Sequence, residues 1–308
     1  MTTTIAPFQD IAGWERALYA FLAEKERRSG SRRTVEGYSR MLQHFFGTLA
    51  KPPDRVNSQE VFAWAYGKGL SGKEPSPVTI GARLASLSSF YRFLIRMSIV
   101  ASNPCDQIQR PRTSLSPPRG LSAEEIRRLL SVIPDTPTGL RDRAITLTLT
   151  LTGRRRSEVL NLKAGDISQA GGLFYTYRGK GGKQGKRELP RPGFEAIQVG
   201  LAAFEKDLAT MAPDESLWPS STNNSRGVTS GTFYCNLRRY LRRAGLPLAG
   251  VHILRHSAAK LRRDVGESVE DVSRFLDHSS LAVTTVYLRR LEGQEDRGWG
   301  KVAEAIGV

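Results

Sequence analysis

Four groups of residues in this chain have types and spacings suited to chemistry. Gly153-Arg154-Arg155-Arg156-Ser157-Glu158 sets three guanidinium groups beside a carboxylate, directly after an apolar run. In His252-Ile253-Leu254-Arg255-His256, positions three and four apart share a face if the segment is helical, so His252 stands beside Arg255 and His256. Arg178, Lys180, Lys183, Lys186 and Arg187 are interleaved with glycines. Glycine lets a backbone approach a phosphate closely, and lysine supplies a mobile point charge. Leu276-Asp277-His278 is followed nine residues later by Tyr287. Arginine forks bind the nonbridging oxygens of a phosphate bidentately and stabilise charge in a pentacoordinate transition state. Tyrosine serves as a nucleophile, histidine takes or shares its proton, and lysine protonates a leaving alkoxide. Together these residues form a metal-free set for a phosphodiester. The zinc signature H-E-x-x-H and the nucleotide signature G-x-x-x-x-G-K-[ST] are both missing.

The elements that must position these groups fall into two blocks. Trp14, Leu18, Phe21 and Leu22 recur at helical spacing, as do Tyr38, Leu42, Phe45 and Phe46 after Ser31 and Thr34. Val61 to Tyr66 suggests a third helix, and a fourth begins near Pro77 and runs through Ile80, Leu84, Leu87, Phe90, Tyr91 and Leu94. Asn103-Pro104 is expected to end the last helix of this block. QRPRTSLSPPRG then reads as an extended linker. Ser122 with Glu125 forms a capping box that opens a helix through Ile126, Leu129 and Leu130. Ile145 to Leu151 reads ITLTLTL, and taken alone its period of two predicts a strand. Residues 173–190 predict a β-hairpin with a basic tip, and the chain from Thr229 onward is mostly helical.

Composition agrees with an anionic partner. The 308 residues carry 46 Lys+Arg against 30 Asp+Glu, a net charge of +16. The basic residues are spread along the chain, which favours nucleic acid over a membrane face. At 39% hydrophobic content wholesale disorder is excluded. No apolar run approaches the roughly 20 residues of a transmembrane helix. Nothing at the N-terminus resembles a secretion signal. Two cysteines, Cys105 and Cys235, without a CxxC pair exclude a disulfide framework and a zinc ribbon. A soluble, reduced, cytoplasmic protein is expected.

With these motifs in order, the chain resembles the tyrosine recombinases, the family of phage integrases and Xer proteins. T-G-R-R-R-S-E at 152–158 is similar to the family's T-G-x-R-x-S-E, which implies Arg155 as the first arginine and Glu158 as its acidic partner. R-G-K-G-G-K-Q-G-K-R-E-L-P is similar to the hairpin G-K-G-x-K-x-R-x-x-P and implies Lys180 as the catalytic lysine. H-I-L-R-H is similar to H-x-L-R-H, implying His252 and Arg255, and L-D-H with Tyr287 is similar to L-G-H and the nucleophile. The first block resembles the family's helical core-binding domain in S-R-R-T-V-E-G-Y at 31–38 and S-S-F-Y-R-F-L at 88–94. Two departures are plain: Gly185 is an extra residue in the hairpin, and Asp277 replaces the family's Gly. A carboxylate beside His278 either raises that histidine's pKa or caps a helix end, and the cap is the expectation. A third point is ITLTLTL, which sits where the family has a helix, so helix is expected there.

The resemblance implies a mainly α fold with a small β-hairpin or sheet, arranged as a two-domain C-shaped DNA clamp. Its parts are a helical, SAM-like core-binding domain at 1–108, a linker at 109–118 and a catalytic domain at 119–308. It implies a site-specific DNA recombinase working through a 3′-phosphotyrosyl intermediate, with no cofactor and no metal. Arg155, Lys180, His252, Arg255, His278 and Tyr287 are the implied catalytic residues. Glu158 orients Arg155 or His252, His256 is a support, and Arg178, Lys183, Lys186 and Arg187 contact DNA. The implied partners are double-stranded DNA with a specific recombination site and a homo- or hetero-tetramer on two such sites, joined through a C-terminal stripe of Trp299, Val302 and Ile306. The start of the chain at the core-binding domain favours an Xer-like enzyme over a lambda-type integrase. Strand relaxation by a type IB topoisomerase, and DNA binding with a decayed site, are the two alternatives.

Overall fold

The computed structural model describes residues 14–69, 72–112, 120–179, 182, 184–222 and 226–277. Lys180, Lys183, His278, Tyr287 and the stripe at Trp299, Val302 and Ile306 lie outside the described residues. The chain divides into two compact units, Met1–Leu115 and Ser116–Val308.

The first unit carries four α-helices among its described residues: α1 (Glu15–Ser29), α2 (Arg32–Leu49), α3 (Ser58–Tyr66) and α4 (Pro77–Arg96). Local chemistry sets their ends. Gly30 adopts φ +58° and donates its N–H to the Glu26 carbonyl, which stops α1. Ser31 then caps α2 by accepting from the Thr34 N–H. Asn57 and Glu60 form a reciprocal capping box on α3, and Ser76 with Pro77 opens α4. The apolar stripes meet in one aromatic core, where Phe90 takes the edges of Phe21 and Phe46 at 5.3 and 5.6 Å. Buried Arg83 donates to the carbonyls of Trp64, Ala65 and Gly67 and so closes the C-terminus of α3 from α4. The last helix of this unit stops at Arg96, seven residues before Asn103. Asn103 instead pins the following turns to α4, donating to the Ser88 hydroxyl at 3.0 Å.

The second unit contains α5 (Ala123–Ser131), α6 (Pro137–Thr152), α7 (Arg156–Leu160), β1 (Ile167–Ser168), β2 (Phe174–Arg178), β3 (Gln184–Glu188), α8 (Arg191–Ala202), α9 (Ser230–Arg243), α10 (His252–Asp264) and α11 (Val269–Phe275). The three strands form an antiparallel sheet in the order β1-β2-β3. The expected hairpin is β2–β3, in which Tyr177 faces Gly185 and Thr176 faces Lys186. The third strand, β1, is two residues long and was not expected.

ITLTLTL lies inside α6, against the reading of the segment alone and in agreement with the resemblance. The reason is burial of most of the helix surface: beyond the first turn, only the face of Arg143, Leu147 and Leu151 is partly exposed. Ala144, Ile145, Thr146, Thr148 and Leu149 are all at 1% exposure or less, and the partly exposed face carries Leu147 and Leu151, so no polar stripe marks the helical period. Two of the segment's threonine hydroxyls are satisfied within the helix, Thr146 donating to the Asp142 carbonyl at 2.7 Å and Thr150 to the Thr146 carbonyl at 2.8 Å, whereas the buried Thr148 hydroxyl has no hydrogen-bond partner among the described residues. Thr136 and Pro137 start the helix and Gly153 at φ +61° ends it. Helix α8 approaches α6 closely at Gly200, where an added Cβ would stand 3.3 Å from the Arg141 Cα. A buried pair anchors α6 to α9: Arg141 donates to Asp142, whose other oxygen accepts from Asn236 at 2.8 Å and Tyr240 at 3.0 Å.

Candidate active site

The site is assembled where three chain segments end or begin: the stop of α6, the start of α10 and the turn after α11. The stop of α6 is followed by three consecutive arginines, of which Arg155 and Arg156 lie near His252 and Arg154 is buried. Arg155 is the N-cap of α7, and its side chain is 39% accessible. Its backbone N–H and its guanidinium each donate to Glu158, both at 2.9 Å, and Glu158 is buried. Glu158 therefore fixes both the backbone and the rotamer of Arg155, while its own charge is paired. Arg156 opens α7. Arg154 is buried at 1% exposure.

Arg255 lies one turn into α10 and is buried at 4% exposure. It donates to the Gly153 carbonyl at 2.5 Å and to the Leu276 carbonyl at 2.7 Å. One guanidinium thus joins all three segments. Both acceptors are carbonyls at helix ends, where the backbone lacks intrahelical partners and a cation is favoured. His252 is exposed at the first position of α10. Its pKa lies below the ordinary histidine value, lowered first by desolvation and then by the positive charges of Arg156, Arg255 and Arg155. It is accordingly neutral, and ready to accept a proton, at neutral pH. His256 follows Arg255 on α10 and is half-buried, with its carbonyl close under Gly120.

The β2–β3 hairpin supplies the remaining side. Arg178 is exposed at the end of β2, and Lys186 on β3 lies over the Phe174 ring at 5.0 Å. Arg187 does not face solvent alone: it donates to Asp277 at 2.8 Å. Among the described residues no group of three or more His, Cys, Asp or Glu is arranged to hold a metal ion.

Asp277 corrects an expectation. It follows α11 at φ +50°, but its carboxylate caps no helix. It accepts from Arg154, from the Tyr177 hydroxyl and from Arg187. Burial acts to raise its pKa, yet hydrogen bonds from Tyr177 and Arg187 and the Arg154 charge outweigh burial and hold it below the ordinary carboxylate value. Arg154 and Tyr177 were not singled out as site residues. The available signal was a pair of opposite charges, Arg154 at a free position of T-G-x-R-x-S-E and Asp277 where the family pattern has Gly.

Comparison with known proteins adds the following. Residues 119–293 match the model of the phage integrase family, and residues 16–98 match that of the phage integrase N-terminal SAM-like domain. The tyrosine recombinase XerC of Syntrophus aciditrophicus is 32% identical over 271 residues, covering 84% of this chain and 86% of that protein. The tyrosine recombinase XerA of Pyrococcus furiosus is 28% identical over 272 residues, covering 88% of each. In fold the chain is similar to a lambda integrase tetramer bound to a Holliday junction, with TM-score 0.71, 16% identity and coverage of 92% of this chain and 79% of that one. It is also similar to the XerH site-specific recombinase bound to a palindromic difH substrate, with TM-score 0.69, 19% identity and coverage of 94% and 83%.

Proposed function

This chain belongs to the phage integrase family and is a DNA strand-cleaving and rejoining enzyme of the tyrosine recombinase type; we propose that Tyr287 is its nucleophile and that the arginines gathered at Gly153 hold the scissile phosphate. The observation that carries the reading is the bond from Arg255 to the Gly153 carbonyl, which brings the His252–Arg255 turn beside the Arg155–Glu158 turn.

The Tyr287 oxygen attacks phosphorus, and a 3′-phosphotyrosyl bond forms as the bond to the 5′-oxygen breaks. His252 accepts the tyrosine proton. Lys180 gives a proton to the departing 5′-oxygen, which leaves as a hydroxyl. Arg155 and Arg255 neutralise the charge that builds on the nonbridging oxygens, and His278 donates a hydrogen bond to one of them. The 5′-hydroxyl of a second strand then reverses the step. The number of phosphodiester-type bonds is unchanged, so no external energy source enters.

Residues 1–108 act as a core-binding domain and 119–308 as the catalytic domain, both on duplex DNA carrying a specific site. Four chains assemble on two sites through the segment that includes Trp299, Val302 and Ile306. The substrate is chromosomal or mobile-element DNA, which places the enzyme in the cytoplasm.

The test is a nicked substrate that traps the covalent adduct, resolved on denaturing gels. Tyr287→Phe is expected to bind DNA and form no adduct. An adduct that persists and maps to Tyr177 or Tyr240 would overturn the assignment. Both are poor candidates: burial raises the pKa of each, to about 12 for Tyr240. Strand exchange between two duplexes, as opposed to relaxation of one, distinguishes recombination from topoisomerase activity.

A further inference from the structure

Two cross-links run side by side beneath the candidate site. Arg255 joins the carbonyls of Gly153 and Leu276, and the residues that follow those two in sequence, Arg154 and Asp277, are joined to each other by an ion pair. The five residues Gly153, Arg154, Asp277, Leu276 and Arg255 therefore close a ring. The same Asp277 carboxylate reaches out of the ring to the hairpin, to Tyr177 on β2 and Arg187 on β3. Arg154 also donates to the carbonyl of Phe275 and to the Tyr177 oxygen, so Arg154, Tyr177 and Asp277 are mutually bonded.

Three peculiarities of the sequence meet here. Asp277 is at φ +50°, a conformation that a residue with a side chain adopts at a cost unless the side chain is held. Arg154 buries a guanidinium, which needs an anion. Gly185 lies opposite Tyr177, and a Cβ there would stand 2.5 Å from the Tyr177 hydroxyl oxygen. The glycine leaves the phenol room to reach Asp277.

We propose that Asp277 is a positioning residue for strand cleavage: through Arg154 it sets the spacing of the two carbonyls that orient Arg255, and through Tyr177 and Arg187 it locks that frame to the β2–β3 hairpin. The proposal rests on the reading of Arg255 as a phosphate clamp. A carboxylate that only stabilised the fold would affect every substrate alike. One that orients a guanidinium matters in proportion to the charge the guanidinium must neutralise.

The experiment compares single-turnover cleavage of two DNA duplexes, one with an ordinary scissile phosphate and one with a methylphosphonate there, which carries no negative charge. Asp277→Asn is expected to slow cleavage of the ordinary substrate by roughly 10- to 100-fold, the scale of a lost buried hydrogen bond to a charged group. On the methylphosphonate its deficit relative to wild type should shrink to within about threefold, because there is less charge to stabilise. Arg255→Ala should follow the same pattern more strongly, and Gly185→Ala more weakly. Equal slowing by Asp277→Asn on both substrates, or no slowing, overturns the proposal while leaving the Arg255 reading intact. Wild-type cleavage by Arg255→Ala overturns both. If Asp277→Asn loses its cooperative melting transition, Tyr177→Phe takes its place. That variant keeps the ring and the carboxylate, and it must show the same dependence on substrate charge or the proposal fails.

Discussion

The guanidinium of Arg255 donates to the carbonyl oxygen of Gly153 at 2.5 Å, although 102 positions of sequence separate them. Gly153 is thus both the left-handed stop of α6 and an acceptor within the site. A Cβ at this position would stand 2.5 Å from the Phe275 ring, on a backbone at φ +61°. Gly153→Ala is expected to lower stability by about 1–3 kcal/mol through strain and overpacking. It should also slow cleavage more than it weakens DNA binding. Thermal melting and single-turnover kinetics check this, and an unchanged melting temperature would count against the packing described.

His252 titrates below the ordinary histidine range in the free enzyme. Protonation abolishes a proton acceptor, so activity is lost as pH falls through the His252 pKa. A lowered pKa moves that loss to more acidic pH. The acid limb of kcat/KM, which reports the free enzyme, should therefore lie below about 6.5. In the complex the phosphate charge favours the imidazolium, so the limb of kcat should sit at higher pH than that of kcat/KM. His252→Gln should flatten both limbs; a limb that survives belongs to another group.

Lys180 is assigned by the G-K-G pattern, with Lys183 and Lys186 nearby in sequence. Lys180→Ala is expected to slow cleavage by roughly 10²–10⁴, the range of general-acid help. Replacing the bridging 5′-oxygen with sulfur creates a leaving group that needs no proton. Cleavage by Lys180→Ala should then recover towards wild type, while Arg255→Ala should not. Rescue of Lys183→Ala instead would move the acid to that residue.

Binding should weaken steeply with salt. Each neutralised phosphate contributes roughly −0.9 to the slope of log K against log salt on duplex DNA. Several contacts from each unit predict a slope of at least about −5 by that rule. Fluorescence anisotropy across a salt series measures it, and a slope near −1 would mean that one of the two units does not engage the duplex.

Most helices of both units are readable from the residues, because apolar stripes and caps act over four positions or fewer. Ser122 with Glu125 and Ser31 with Thr34 each mark a helix start in the chain and in space. The turns carrying Arg155, Glu158, His252 and Arg255 are equally legible, since each is a contiguous motif. The ring beneath them is not. Arg154 and Asp277 lie 123 positions apart, and no period or spacing couples two such residues. Strand β1 is too short for a pattern of two to register. Helix α6 misleads because most of it is buried and its partly exposed face carries Leu147 and Leu151, which leaves no polar stripe to mark a period of 3.6.

That last helix has a consequence for how the protein is handled. Before α6 has found its neighbours, residues 145–151 are a bare alternation of apolar and threonine side chains, the pattern that stacks between molecules as extended sheet. Arg141, Arg143 and the arginines at 154–156 flank the segment and oppose such stacking by charge repulsion. Recovery from denaturant is then a contest between intramolecular burial and intermolecular association. Dilution and low salt favour the native chain, and concentrated refolding at high salt, where the flanking charges are screened, favours aggregates.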